Sequence, residues 1–203
     1  MELSAATLDN WVAKTGSYLA AEFDPPANAV FRIDLPLHWL VPVWSQAVWS
    51  RGWAVTVTDT ADIVITTATR SSRYPDVEEV LACSTTPFGT PLGSACPPHA
   101  VDALADLRSY PDQVVLPLPP AEAAVVVADG ERLDNHAAIE RAERLLAADC
   151  QRPLSTALPD TTDGLLLTSL SWLCRGGTTV LVAEPEAADL GAIQRQEGTD
   201  CRV

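Results

Sequence analysis

At 203 residues and 47% apolar content, the chain is long enough to bury a real core in one domain or in two closely packed halves. Its 27 acidic against 13 basic residues give a formal charge of -14, which repels phosphate backbones and anionic lipid and so excludes nucleic acid and membrane surfaces as expected partners. The opening MELSAATLDNWVAK has no basic run ahead of an apolar core, and no stretch approaches the ~18 uninterrupted apolar residues of a membrane helix, so a cytoplasmic location is expected.

Ser4 precedes a helical pattern in which Leu8, Trp11, Val12, Thr15, Tyr18, Leu19 and Phe23 recur at spacings of three and four, until Asp24-Pro25-Pro26 ends it. The stretch Ala29 to Asp59 then reads as strand, helix, strand. It begins with AVFRID, passes through LPLHWLVPVWSQAVWS, stops at Gly52 and resumes as WAVTVTD. Two strands joined by a crossover of that length close most readily as a parallel βαβ unit. Pro42 places the start of the helix near Val41, with the proline in its first turn. Trp39, Trp44, Trp49 and Trp53 make this the aromatic centre of the chain, and core packing accounts for them before a ligand-stacking site does.

Further strands are expected over Ile63 to Thr66 and Glu78 to Cys83. The Gly- and Pro-rich loop Ser84 to Pro98 comes next, then a short helix from His99 to Arg108 with Asp102 and Asp106 on a solvated face. An extended piece over Gln113 to Leu118 and a linker over Pro117 to Pro120 separate a first half, residues 1–116, from a second, residues 117–203. That half holds a strand over Ala123 to Ala128, a turn at Asp129-Gly130, and a helix over Asp134 to Ala148 with Ile139, Leu145 and Leu146 inward. A weak strand near Leu154 to Leu158 follows, then a helix over Gly164 to Cys174 stopped by Gly176-Gly177, a buried strand over Thr178 to Ala183 and a last helix near Glu186 to Gln196.

The halves resemble each other. Leu8-Asp9-Asn10 recurs as Leu133-Asp134-Asn135, and at the same offset Gly52 and Val55-Thr56-Val57 recur as Gly177 and Val180-Leu181-Val182. The repeated order of helix, strand, helix, strand predicts an α/β fold of two related halves. Each has a mainly parallel sheet covered by helices, and the two pack as one compact unit.

Five cysteines, Cys83, Cys96, Cys150, Cys174 and Cys201, are widely spaced with no C-x-x-C pair, so reduced buried thiols are expected and no metal site. No G-x-S-x-G elbow exists, and Thr168, Ser169 and Ser171 fall in an apolar helix where hydroxyls bond back to the backbone. His38, His99 and His136 share no metal-ligand spacing.

LSAATLDNWVAKTGSYLAAEF, with VFRIDLPLHWLVPVWSQAVWSRGWAVTVTD, resembles the start of the large domain of adenylate-forming enzymes, the acyl-CoA synthetase and AMP-binding superfamily. LLLTSLSWLCRGGTTVLVAEP resembles the segment after their phosphate loop. ADIVITT and VDALADLRSYPDQ, with the chain's length, resemble a small actinobacterial family with faint similarity to AMP-binding enzymes. The resemblance implies a truncated large domain of two related subdomains. The superfamily's phosphate loop is rich in Ser, Thr and Gly and ends in Pro-Lys-Gly; the corresponding place here holds Asp129-Gly130-Glu131-Arg132. The chain stops at Val203, ahead of the superfamily's ribose-binding Asp, hinge and lid lysine, and Lys14, its single lysine, stands in the first helix.

The expectation is an adenylate-forming scaffold without ATP-dependent adenylation and without a cofactor. It would bind an acyl or nucleotide-like small molecule near Asp129, Gly130, Asn135, His136, Thr85, Thr86 and His38. The alternative is a protein-protein interaction or structural module, a self-associating dimer whose uncovered face another chain completes.

Overall fold

The computed structural model of the chain describes residues 2–58, 60–113, 119, 123–128, 131–174 and 177–203. Helix α1, Ala5–Glu22, starts where Ser4 accepts a hydrogen bond from the Thr7 N–H (3.1 Å), and it buries Leu8, Tyr18 and Leu19. Strand β1, Val30–Asp34, leads to α2, Leu40–Ser50. Pro42 is the third residue of that helix, where its missing N–H costs no intrahelical bond. Gly52 follows at φ 79°, a left-handed turn that a side chain would strain. Strands β2 (Ala54–Thr56), β3 (Ile63–Thr67), β4 (Glu79–Cys83), β5 (Val101–Asp102), β6 (Ala124–Ala128) and β7 (Glu131–Asp134) follow in turn.

These strands form one seven-stranded sheet in the order β5-β4-β3-β1-β2-β6-β7, parallel throughout except for the β6–β7 hairpin. Phe31, Ile33, Ile65 and Leu81 fill its centre, with Trp44 of α2 fully buried among them. Trp49 and Trp53 are core as well, and the Trp49 indole donates to the Val125 carbonyl (2.6 Å), tying α2 to β6. The larger sheet therefore takes strands from both sides of the expected division near residue 116.

Helix α3, Asn135–Leu145, begins where Asp134 accepts from the Ala137 N–H (2.8 Å). After it come β8 (Pro153–Ser155), α4 (Thr162–Cys174), β9 (Val180–Leu181), α5 (Leu190–Glu197) and β10 (Cys201–Arg202). The second sheet is wholly parallel, in the order β10-β8-β9. Its order repeats β3-β1-β2 of the first, and α4 connects β8 to β9 as α2 connects β1 to β2. Gly177 takes φ 85°, the counterpart of Gly52. α2 and α4 pack on each other, with the Ser45 and Ser169 hydroxyls 3.0 Å apart and the Gln46 amide donating to the Ser169 carbonyl. Leu8-Asp9-Asn10 lies inside α1 whereas Asn135 opens α3, so this likeness of letters marks no equivalent position.

Several expectations are corrected. His99 to Arg108 is not a helix: Asp102 turns its carboxylate on the N–H groups of Gly93 (2.8 Å) and Leu104 (3.3 Å), and the Ala103 N–H donates to the Ala82 carbonyl of β4 (3.0 Å). Ile139 faces solvent, and α3 buries Ala138 and Ala142 instead. β9 is half-buried because its edge lines a cleft. Cys150 and Cys201 are not reduced thiols but a disulfide pair, with Cα atoms 5.4 Å apart. The extended piece over 113–118 and the linker over 117–120 lie, but for Gln113 and Pro119, outside the described residues, as does Gly176.

Candidate functional site

In open parallel sheets, ligands gather beyond the carboxyl ends of the strands. Here the turn after β1 and the loop after β4 meet at that edge, and the smaller sheet stands opposite. Between them lies a cleft of about 880 Å³ whose walls include His38, Trp39, Thr85, Trp172, Leu181 and Arg152.

His38 and Thr85, separate in the chain, are brought together. The His38 Nδ1 accepts from the Leu40 N–H (3.3 Å), which leaves the proton on Nε2. Burial pushes the imidazole pKa down, partly opposed by a hydrogen bond to the Thr85 backbone, so His38 is neutral at pH 7. Trp39 is braced from behind: its indole donates to the Pro87 carbonyl (3.1 Å), Trp11 packs on it at 5.1 Å, and Arg108 lies over Trp11 at 5.5 Å. The far mouth is framed by Arg152 and Glu197, 3.9 Å apart. Among the described lining residues Arg152 is the one cation. The arrangement suits a flat or chain-like ligand with few charges, held by aromatic faces and scattered hydroxyls.

The remaining expected residues lie elsewhere. Thr86 shares hydrogen bonds with Ser84 (3.1 Å) and Thr90 (2.9 Å) and shapes the loop. Asn135 opens α3 on the surface, and His136, its side chain 81% exposed, faces Glu140 at 3.7 Å. Asp129 and Gly130 lie outside the described residues. On either side of them Ala128 pairs with Glu131, so only two residues separate β6 from β7. The nearby Arg141 is already committed to Asp163 (2.7 Å) and Glu131 (2.9 Å). Those contacts, Asp163 first, raise its pKa.

Sequence reasoning missed the group around Asp34 at the end of β1. One oxygen accepts from Arg70 (2.8 Å); the other accepts from Tyr74 (2.8 Å) and lies 3.6 Å from Arg73. Burial and the Asp34 contact raise the Tyr74 pKa and keep it a donor. Arg70, Arg73 and Tyr74 at spacings of three and four were the available signal. Lys14 donates to the carbonyls of Arg108 (3.1 Å) and Tyr110 (2.7 Å), which makes it a strap for that turn. Cys150, Asp200 and Cys201 bring potential metal-ligating atoms within 4.8 Å of one another, but the two sulfurs are bonded to each other. No helix among the described residues is long and apolar enough to cross a membrane.

This fold is that of the adenylate-forming, acyl-CoA synthetase-like enzymes. An acyl-CoA synthetase from Brucella canis superposes with a TM-score of 0.75 at 17% identity, over 100% of this chain and 42% of that one. Coronafacic acid ligase from Pectobacterium brasiliense gives 0.71 at 9%, over 97% and 43%. The amide bond synthetase McbA from Marinactinospora thermotolerans gives 0.66 at 19%, over 96% and 42%. The chain thus spans about 42% of the length of such enzymes. No protein-family model matches it. A TIGR03089 family protein of Mycobacterium tuberculosis is 34% identical over 208 residues, which is 98% of this chain and 83% of that protein. The chain belongs to that family.

Proposed function

We propose that this protein binds an acyl or nucleotide-like small molecule in the cleft beside His38 and does not adenylate it. The cleft itself carries the reading: aromatic walls from Trp39 and Trp172, a neutral His38, and a single cation among the described lining residues. A triphosphate needs several positive groups or a ring of backbone N–H groups. The two-residue connection between β6 and β7, flanked by Glu131 and by an Arg141 already paired, supports the second half of the proposal.

Thermal shift against AMP, ATP, CoA and an acyl-CoA tests binding, since a ligand at 100 times its Kd stabilises by about 2.7 kcal/mol. A shift by AMP or the acyl-CoA, lost in Trp39→Ala, is expected; no shift with any of the four overturns the reading. Pyrophosphate released from ATP in the presence of carboxylic acids overturns the statement on chemistry.

A second reading, an interaction module, is favoured by Phe88 at 72% exposure and Leu158 and Leu173 at 53% each. Light scattering showing a dimer that Phe88→Ser or Leu173→Ser dissociates supports it, and a clean monomer counts against it.

A further inference from the structure

The last element of the fold is held by very little apart from one covalent bond. α5 fully buries none of its residues; Leu190, Ala192 and Ile193 are only half-buried, so its apolar anchorage to the body is shallow. Its attachment lies around Cys201. Asp200 accepts from the N–H groups of Gln151 (3.0 Å) and Arg152 (2.9 Å), β10 pairs with β8 over two residues, and Val203 bonds to Leu154 and Thr156. Cys150, fully buried, forms a small separate core with Leu146 and Leu167, against which Cys201 and Val203 pack. Without the Cys150–Cys201 bond, two ladder residues, a few hydrogen bonds, the packing of Cys201 and Val203 on that small core and the Arg152–Glu197 pair would keep residues 190–203 in place. That segment is one wall of the cleft: Ile193 and Glu197 come from α5, and Arg152 stands two residues from Cys150.

We propose that the Cys150–Cys201 disulfide is a redox-operated latch on the α5 wall of the cleft. The reductant is a dithiol. Its thiolate attacks the sulfur of Cys201, the half-buried member of the pair; the bond to Cys150 breaks, a mixed disulfide forms on Cys201, and Cys150 leaves as a thiolate that takes up a proton. The second thiol of the reductant then displaces Cys201. The protein has gained two electrons and two protons as two thiols, and the reductant has become its own disulfide. With the latch open, α5 and β10 come away from β8 and the cleft is unwalled on that side. The opening is independent of what the cleft holds; its effect on ligand affinity rests on the reading given under Proposed function.

The test compares the air-oxidised chain with the same chain in dithiothreitol. Alkylation after denaturation is expected to mark Cys83, Cys96 and Cys174 in the first state and all five cysteines in the second. Hydrogen exchange of peptides within 189–203 is expected to rise at least ~10-fold on reduction, while β1, β3 and β4 are unchanged. Cys201→Ser should exchange like the reduced protein in both conditions; if that variant does not fold, the wild type in its two states carries the comparison. Equal exchange in the two states overturns the latch, as does alkylation of all five cysteines before reduction or stoichiometric zinc bound by Cys150 and Cys201. A latch that opens while none of AMP, CoA or acyl-CoA shifts the melting point in either state upholds it and removes the ligand reading alone.

Discussion

Asp34 sits at the carboxyl end of β1 with its side chain 17% exposed and both oxygens engaged, one by Arg70 and the other by Tyr74. Removing the carboxylate strands a partly buried guanidinium and a phenol together. Asp34→Ala should therefore cost about 3 kcal/mol, and Asp34→Asn about half of that, because the amide keeps one acceptor and loses the charge. Urea unfolding of the two variants beside wild type measures both, and equal losses would show that the charge contributes nothing. His38 allows a pH experiment. Its folded pKa lies below the ordinary 6.5, so the unfolded chain takes up a proton first as pH falls. The contribution of neutral His38 is present above the ordinary value and is lost as pH falls through about 6.5 toward the folded value. Stability measured between about pH 5 and pH 7 should slope less in His38→Gln than in wild type, with the two lines parallel above pH 7. That His38 and Thr85 follow the carboxyl ends of strands was legible in the sequence; that the two meet at one cleft follows from the β1–β3–β4 pairing. Asp34's partners were not legible, since they stand 36 and 40 residues away and only the β1–β3 pairing brings them close.

The helices were readable because their ends are chemical. Ser4 and Asp134 accept the first free N–H groups of α1 and α3, and Gly52 supplies the left-handed turn after α2. β5 and β10 have two residues each, too few for any alternation to register, and exist because a neighbouring strand offers a free edge, whereas β9, just as short, was legible from the apolar run within Thr178 to Ala183. β7 was missed because its four residues, Glu131–Asp134, carry no apolar alternation and are a strand only through their pairing with β6. Within α4, Gly164 shows an element setting a residue: a Cβ there would run into the carbonyl of Leu158, part of the backbone that leads into the helix. Gly164→Ala forces that backbone away and should destabilise by about 3 kcal/mol, at the upper end for overpacking, because the obstacle is main chain. A melting point within a degree of wild type would mean that the turn before α4 moves freely. By contrast, Gly93→Ala meets no atom within 4 Å, and its cost is that of a positive φ alone, about 1 kcal/mol.

At the scale of the molecule the two sheets follow one plan, since β10-β8-β9 is laid out as β3-β1-β2 and the crossovers α2 and α4 pack on each other. Gly52 and Gly177 carried that plan in the sequence because each ends the crossover helix that the next strand depends on. The place of β10 was hidden by α5, which is inserted where the first half has only a short polar link. Charge also acts at this scale. Thirteen basic groups face 27 acidic ones, and several are already bound: Arg70 and Arg73 to Asp34, Arg141 to Glu131 and Asp163, Arg144 to Glu140. Salt therefore has two opposite effects, weakening these pairs and relieving the repulsion among the unpaired carboxylates. Exposed pairs contribute at most about 1 kcal/mol each, whereas a charge of -14 is felt by every carboxylate within a Debye length. That length falls from about 30 Å at 0.01 M to about 10 Å at 0.1 M. Repulsion should dominate, so sodium chloride over that range is expected to raise the melting point by about 2–4 °C, the equivalent of about 1 kcal/mol for a chain of this size. A scanning-calorimetry series in sodium chloride gives the sign directly. A fall with salt would mean that the Asp34 and Arg141 networks outweigh the net charge, and would make the carboxyl edge of the larger sheet the main electrostatic support of the fold.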